Sequence, residues 1–247
     1  MTQHLTIITG ASRGLGLALA EQLLAHGHRV LAIARRTVDV AAVPGELIDW
    51  QADLANPAPV AARLESWLLA QDATQIASAT LINNAGVVSQ LAPLSGVASA
   101  DLSNALRVGL EAPLLLTAAF LRATQAWPSP RKVLLISSGL GRRAMAGSAS
   151  YCAAKAGMDH LARAVALEEA GKPNGARIVS LAPGVIDTDM QIQLRAADPN
   201  LFPERDRFVG LKTGGQLDSP AQAAAKVFRV LHRADFGHEP VADVRDA

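Results

Sequence analysis

A doubly wound α/β fold, with one parallel sheet of about seven strands and helices on both faces, is predicted by three observations. Short apolar runs alternate with longer helical patterns along the whole chain. A glycine-rich turn, Gly10-Ala11-Ser12-Arg13-Gly14-Leu15-Gly16, separates the first apolar run from the first helical pattern. Hydrophobic residues make up 50% of the 247, yet aromatics only 4%, so the core is aliphatic, as suits parallel strands buried on both faces.

The elements follow in order. Leu5-Thr6-Ile7-Ile8-Thr9 predicts the first strand and 15–26 the first helix, with Gly27 as its C-terminal stop. Strands are expected at 29–34, 47–50, 80–82, 133–137 and 177–181, and further helices at 57–70, 100–126 and 149–170. Ser219-Pro220 opens a helix over 220–233, with proline in the first turn, and a short last strand is expected over 241–244. Crossovers between successive parallel strands are right-handed. Segment 187–218 fits no regular crossover; its length and its Asp, Pro, Arg and Gly content predict a substrate-covering loop with some helix in it.

No linker, low-complexity tract or internal repeat interrupts the chain, so one domain over 1–247 is expected. The 23 basic and 22 acidic residues are interspersed, which argues against a nucleic-acid surface or a polybasic membrane patch. The first strand starts almost at once, leaving no room for a signal peptide, and no run of about 18 apolar residues predicts a membrane span. The single cysteine, Cys152, excludes an internal disulfide and reads as a small buried side chain. These readings place the protein in the cytoplasm; no metal is expected.

The chemistry is concentrated in Tyr151 and Lys155, four residues apart and therefore on one helix face. A free tyrosine titrates near 10, too high for efficient proton transfer at neutral pH. An ammonium about 4 Å away favours the phenolate by roughly 4 kcal/mol at an effective dielectric of about 20. That equals about three pKa units before desolvation takes some back, so the pair is predicted to exchange a proton with an alcohol or carbonyl. Three motifs accompany it. The glycine turn lies between strand and helix, where backbone N–H groups meet a pyrophosphate, although its spacing is G-x-x-x-G-x-G. Asn83-Asn84-Ala85-Gly86 follows the fourth strand, at the sheet edge where ligands bind. Ser138 ends the apolar run Val133-Leu134-Leu135-Ile136-Ser137, 13 residues before Tyr151.

Jointly, in this order, with Pro183-Gly184, these motifs resemble the short-chain dehydrogenase/reductases over most of the chain. The resemblance implies a Rossmann-type sheet binding NAD(H) or NADP(H). It assigns Ser138 to the substrate oxygen, Tyr151 to acid/base catalysis, and Lys155 to the nicotinamide ribose and to lowering the tyrosine pKa. It places the cofactor along Gly10, Ser12, Arg13, Gly14, Leu15 and Gly16, then Arg35, Asp53, Leu54, Asn83, Ala85 and Gly86. At the nicotinamide end it adds Tyr151, Lys155, Pro183, Gly184, Val185 and Thr188.

Between the nicotinamide cofactors, residues at the second strand end decide. No acid precedes Asp39 there to hold a ribose hydroxyl; Arg35 and Arg36 follow the strand, and Arg13 lies in the glycine turn. Guanidinium groups suit a 2′-phosphate, so NADP(H) is predicted, through Arg13 and Arg35, with Arg36 read as a solvated loop charge. One departure stands out. Where family members carry Val-Asn-Leu, this chain reads Val108-Gly109-Leu110. The resemblance makes that asparagine a holder of water behind the lysine, so the change bears on rate more than on reaction class.

The C-terminal third resembles the branch holding sepiapterin reductases and bacterial benzil reductases. By that resemblance Thr188 contacts the carboxamide and Asp243 anchors a substrate ring; Ser138 and Tyr151 complete the substrate contacts. Met145, Trp127 and Phe202 are candidates for an apolar wall. The expected function is NADPH-dependent reduction of a ketone or vicinal dicarbonyl. Two alternatives are a 3-oxoacyl-carrier reductase, which calls for a basic patch not located in the sequence, and a non-catalytic NADPH sensor. A homodimer or homotetramer built on helices 100–126 and 149–170 is expected.

Overall fold

The structure, a computed structural model, describes residues 2–41 and 43–246. The chain runs β1 (Gln3–Thr9), α1 (Gly14–Ala25), β2 (Arg29–Ala34), β3 (Glu46–Gln51), α2 (Pro57–Leu69) and β4 (Ile76–Asn83). It continues through α3 (Ser99–Leu106), α4 (Ala112–Thr124), β5 (Arg131–Ile136), α5 (Ala149–Ala170) and β6 (Arg177–Ala182). It ends with α6 (Asp189–Ala196), α7 (Arg205–Thr213), α8 (Pro220–Leu231) and β7 (Val241–Asp243). The seven strands form one parallel sheet in the order β3-β2-β1-β4-β5-β6-β7.

Strand residues alternate between two cores. Leu5, Ile7, Leu31, Leu81, Val133 and Leu135 pack with Leu64, Leu116, Phe120 and Met158 from α2, α4 and α5. Ile8, Val30, Ile82, Leu134 and Leu181 face Leu19, Leu23 and Val227 from α1 and α8 on the other side. Both faces are therefore covered, as an apolar parallel sheet requires. The winding reverses between β1 and β4, whose C-terminal ends open a crevice at that switch point.

The helix predicted over 100–126 is interrupted. A π-helical turn, Arg107–Glu111, joins α3 to α4. Pro113 supplies the reason: it has no N–H for the Gly109 carbonyl four residues earlier, and its ring crowds that carbonyl. The backbone widens instead, and the Ala112 N–H donates to Arg107, five residues back. A Cβ built on Gly109 would stand 3.1 Å from the Ala154 Cβ, so the missing side chain lets α5 lie close. The run Ser99–Thr124 is long and apolar enough to cross a membrane by length and composition alone. Half of its apolar window is buried in this fold, and α4 packs on α2 and the sheet.

The loop expected over 187–218 carries α6 and α7 and closes on itself at a neck. There the Asp187 N–H donates to Asp218 O and the Asp218 N–H to Val185 O, each at 2.9 Å. Lys212 pairs with Asp187, and Lys226 with Asp218 at 2.6 Å. Leu140, Met145, Leu194, Phe202 and Phe208 form a small separate core beneath it, with Phe202 and Phe208 stacked at 5.8 Å.

Candidate active site

The crevice is one cavity of about 630 Å³, running from Arg35, Arg36 and Asp53 at one end to Met145, Leu194 and Phe208 at the other. Its floor is the glycine turn, pinned against β4. Thr9 Oγ1 accepts the N–H groups of Asn84 and Ala85, each at 3.0 Å, while Asn84 Nδ2 donates back to Thr9 O. A Cβ on Gly16 would lie 2.2 Å from Gly10 O and 2.5 Å from Asn84 Nδ2. Gly10 has φ +69°, and its Cβ would touch Ala85 Cα at 3.0 Å. Glycine is therefore required at both positions by close approach, and at Gly10 also by conformation.

Most of the expected residues line the cavity: Gly10, Ser12, Arg13, Gly14, Leu15, Gly16, Arg35, Asp53, Leu54, Ala85, Gly86, Pro183, Gly184, Val185 and Thr188. Asn83 does not. Its buried side chain donates to Thr117 Oγ1 at 3.2 Å behind the strand, and Asn84 takes the place at the cavity wall. The alternation of a strand puts neighbours on opposite faces, which explains the exchange. Arg36, read from sequence as a loop charge, also lines the cavity. Arg13 forms an exposed pair with Asp189 on α6 at 2.5 Å, tying the glycine turn to the segment that carries α6 and α7.

Ser138, Tyr151 and Lys155 meet at the middle of the cavity. Ser138 stands at the end of β5 with an extended backbone, its Oγ accepting the Leu140 N–H at 3.2 Å. Lys155 is buried, and its Nζ donates to Ile136 O at 2.6 Å. That Nζ lies 5.5 Å from the centre of the Tyr151 ring. The expected lowering of the tyrosine pKa is not what this geometry gives. Burial pushes Tyr151 up to about 12, and the neighbouring Ser138 hydroxyl pulls only partly the other way. Burial takes the lysine down to about 8, opposed by the charge of Asp159. Desolvation by burial dominates on both residues of the pair.

Asp243 lies in the wall of the substrate end, but its carboxylate is already engaged. Arg245 binds it bidentately, at 2.8 and 2.5 Å, and holds it below the usual carboxylate range. Met145 lines the cavity; Phe202 sits behind it in the small core, and Trp127 belongs to the main core. Basic groups that the sequence does not assemble are also present: Arg143, Arg207 and Arg245 reach the same end from three separate segments. Asn104 and Gln191, from α3 and α6, are further polar lining groups that no motif marks.

A profile described as short chain dehydrogenase matches residues 4–199. The chain belongs to the short-chain dehydrogenase family. Benzil reductase ((S)-benzoin forming) of Bacillus cereus is 34% identical over 235 residues, spanning 93% of this chain and 94% of that protein. Sepiapterin reductase of Meriones unguiculatus is 33% identical over 248 residues, spanning 93% and 92%. A solved short-chain dehydrogenase/reductase from Burkholderia vietnamiensis shares 35% identity at a TM-score of 0.65, covering 99% of this chain and 98% of its own.

This family binds nicotinamide cofactors, and the cavity fits one. The cradle that only glycine leaves open sits at the N-terminus of α1, where free N–H groups and the helix dipole favour a pyrophosphate. From there the cavity reaches both the arginines beyond β2 and the hydroxyls of Ser138 and Tyr151.

Proposed function

We propose that the protein is an NADPH-dependent carbonyl reductase acting on a ketone or vicinal dicarbonyl. One observation carries the reading: Ser138, Tyr151 and Lys155 converge in a single cavity with the glycine cradle and with Arg13, Arg35 and Arg36. The cofactor choice rests on those arginines, which would hold a 2′-phosphate by charge-assisted hydrogen bonds where β2 ends in arginines and not in an acid that could hold a ribose hydroxyl. Gly10, Ser12, Gly14 and Leu15 would hold the pyrophosphate, Asp53 and Leu54 the adenosine end, and Ala85, Gly86, Pro183, Val185 and Thr188 the nicotinamide end.

Bound reduced nicotinamide supplies a hydride to the carbonyl carbon. The protein's part is at the oxygen. Ser138 Oγ donates a hydrogen bond that fixes the carbonyl, and Tyr151 Oη gives its proton to that oxygen as charge develops. Tyr151 carries its proton at neutral pH, and burial, which raises it, works against proton release. The ammonium of Lys155 offsets the charge left on the tyrosine. The identities to benzil and sepiapterin reductases support a dione or pterin side-chain ketone as substrate. We further propose that the enzyme works in the cytoplasm as a homo-oligomer through the α4 and α5 faces, where Leu114 and Leu167 are exposed.

A second reading has its own support. Arg143 lines the substrate end and is exposed, with no ion-pair partner among the described residues. It would favour a substrate with an anionic group, including a phosphopantetheine-borne 3-oxoacyl chain.

The test is oxidation of NADPH, followed by absorbance, with benzil, a phenyl-1,2-dione, sepiapterin and an acetoacetyl thioester. Turnover with a dione or sepiapterin is expected, and Tyr151→Phe should lower kcat by about 10³-fold while NADPH still binds. Full turnover in that variant would overturn the assignment.

A further inference from the structure

Beside the serine–tyrosine–lysine group stands a buried carboxylate that the mechanism does not use. Asp159 is 1% exposed and sits on α5 one turn beyond Lys155, so Tyr151, Lys155 and Asp159 form a stripe on one helix face. A buried carboxylate needs strong compensation. Its Oδ1 accepts hydroxyl hydrogen bonds from Ser137 and Ser180, each at 2.7 Å. Its Oδ2 faces the Arg142 guanidinium, with Nε at 3.2 Å. Ser137 immediately precedes Ser138 on the chain, and Ser180 belongs to β6, so the carboxylate joins two strand ends to the helix.

The turn after Ser138 is fitted to the same group. A Cβ on Gly141 would stand 2.7 Å from Asp159 Oδ2 and 2.9 Å from Lys155 O. Arg142 then crosses to β7, donating to Ala242 O at 2.9 Å and approaching Asp243 at 3.9 Å. Asp243 is in turn held by Arg245. The charges therefore alternate in a chain from Lys155 through Asp159, Arg142 and Asp243 to Arg245, at the substrate wall.

We propose that Asp159 is a positioning residue of this site, keeping Lys155 charged and fixing the Ser138 turn from behind. The proposal deepens the reductase reading and rests on it for its consequence in turnover. The electrostatic part stands independently: Asp159 lies one helical turn from Lys155, and its charge opposes the burial that lowers the lysine, while Gly109 in the packed π turn offers no side chain. The groups around Asp159 are Lys155 one turn back on its own helix, Ser137 just after β5, Ser180 from β6 and Arg142 from the turn after Ser138. Arg142 screens the carboxylate from the opposite side.

The test reads the lysine directly. The full-length protein carries ¹³C-labelled lysine, the Lys155 resonance is identified by its loss in Lys155→Met, and it is titrated by NMR without cofactor or substrate. Asp159→Asn keeps an oxygen to accept the serine hydroxyls but removes the charge. Lys155 should then titrate about one pH unit lower. Arg142→Gln, at a partly exposed residue, removes the screening cation and should move Lys155 in the opposite direction even if Asp159→Asn does not fold. With a working dione assay, the basic limb of the kcat profile should follow each shift. An unmoved Lys155 titration in the folded variants, whatever happens to thermal stability, overturns the proposal. A shifted lysine in a protein that reduces no carbonyl would overturn the reductase reading alone.

Discussion

The cofactor half of the cavity is made mainly of backbone at strand ends, whereas the substrate half is made of side chains from distant segments. Gly10, Gly16, Asn84 and Ala85 in the first half are locked by hydrogen bonds between β1 and β4 and by contacts that leave no room for a Cβ. In the second half, Met145, Leu194 and Phe208 come from the segment before α5, from α6 and from α7, over their own small core. The first arrangement has little freedom to change without losing the cradle. The second changes with each side chain, so it is where a shared family fold acquires a particular substrate.

The most damaging way to break this contrast is to add one methyl group to the rigid half. Gly16→Ala puts a Cβ where Gly10 O and Asn84 Nδ2 already stand, and backbone must move. Overpacking of this kind costs about 1–3 kcal/mol and displaces the phosphate cradle, so NADPH affinity should fall by about a hundredfold. Met145→Ala in the other half should leave NADPH affinity unchanged and alter only the substrate KM. Titration of NADPH binding by fluorescence compares them; equal losses would erase the distinction.

A smaller effect separates the two nicotinamide cofactors. Replacing Arg35 and Arg36 together with alanine removes the charged donors beyond β2. NADPH binding should weaken by about ten- to a hundredfold, as expected for hydrogen bonds to a charged group, while NADH binding stays within about twofold. If both cofactors lose affinity alike, the arginines support the turn and do not read the phosphate.

Where the halves meet, pH is the probe. Lys155 is buried with a pKa near 8 and Tyr151 near 12, so over neutral pH both carry their protons. The reducing reaction needs a charged lysine and a protonated tyrosine. As pH rises through about 8, the lysine loses its proton first, and kcat should fall about tenfold per unit beyond it. A flat profile to pH 10 would show that the lysine charge is not required.

The contrast also decides what the sequence could show. The cofactor half is legible because each of its parts is local: a turn after a strand, an Asn-Ala-Gly after a strand, a tyrosine and lysine one helical turn apart. Errors there are errors of face or atom. Asn83 was one residue off in a strand whose alternation turns neighbours to opposite sides, and Tyr151 was expected lower because the sequence does not show the burial that dominates on both residues of the pair. The π turn at Gly109 was written in Pro113, whose missing N–H falls opposite that carbonyl. The substrate half was not legible, since Arg143, Arg207 and Arg245 are brought together only by tertiary folding, as are Asn104 and Gln191.

The smallest effect belongs to Asp243, and it distinguishes the two substrate types the relatives suggest. A pterin ring presents N–H donors to which a carboxylate can bind; a diaryl dione presents none. In this chain the carboxylate is shared with Arg245, which is largely exposed and therefore displaceable at modest cost. Asp243→Asn retains size and one acceptor oxygen but loses the charge and the fork-to-fork match with Arg245. The KM for sepiapterin should rise about three- to tenfold, the range for a single lost hydrogen bond, while that for benzil moves less than about twofold. An equal rise for both would mean that Asp243 shapes the wall through Arg245 and Arg142, without touching substrate. No change for either would place the ring-binding contacts elsewhere in the substrate half, with Asn104 and Gln191 the next polar groups to vary.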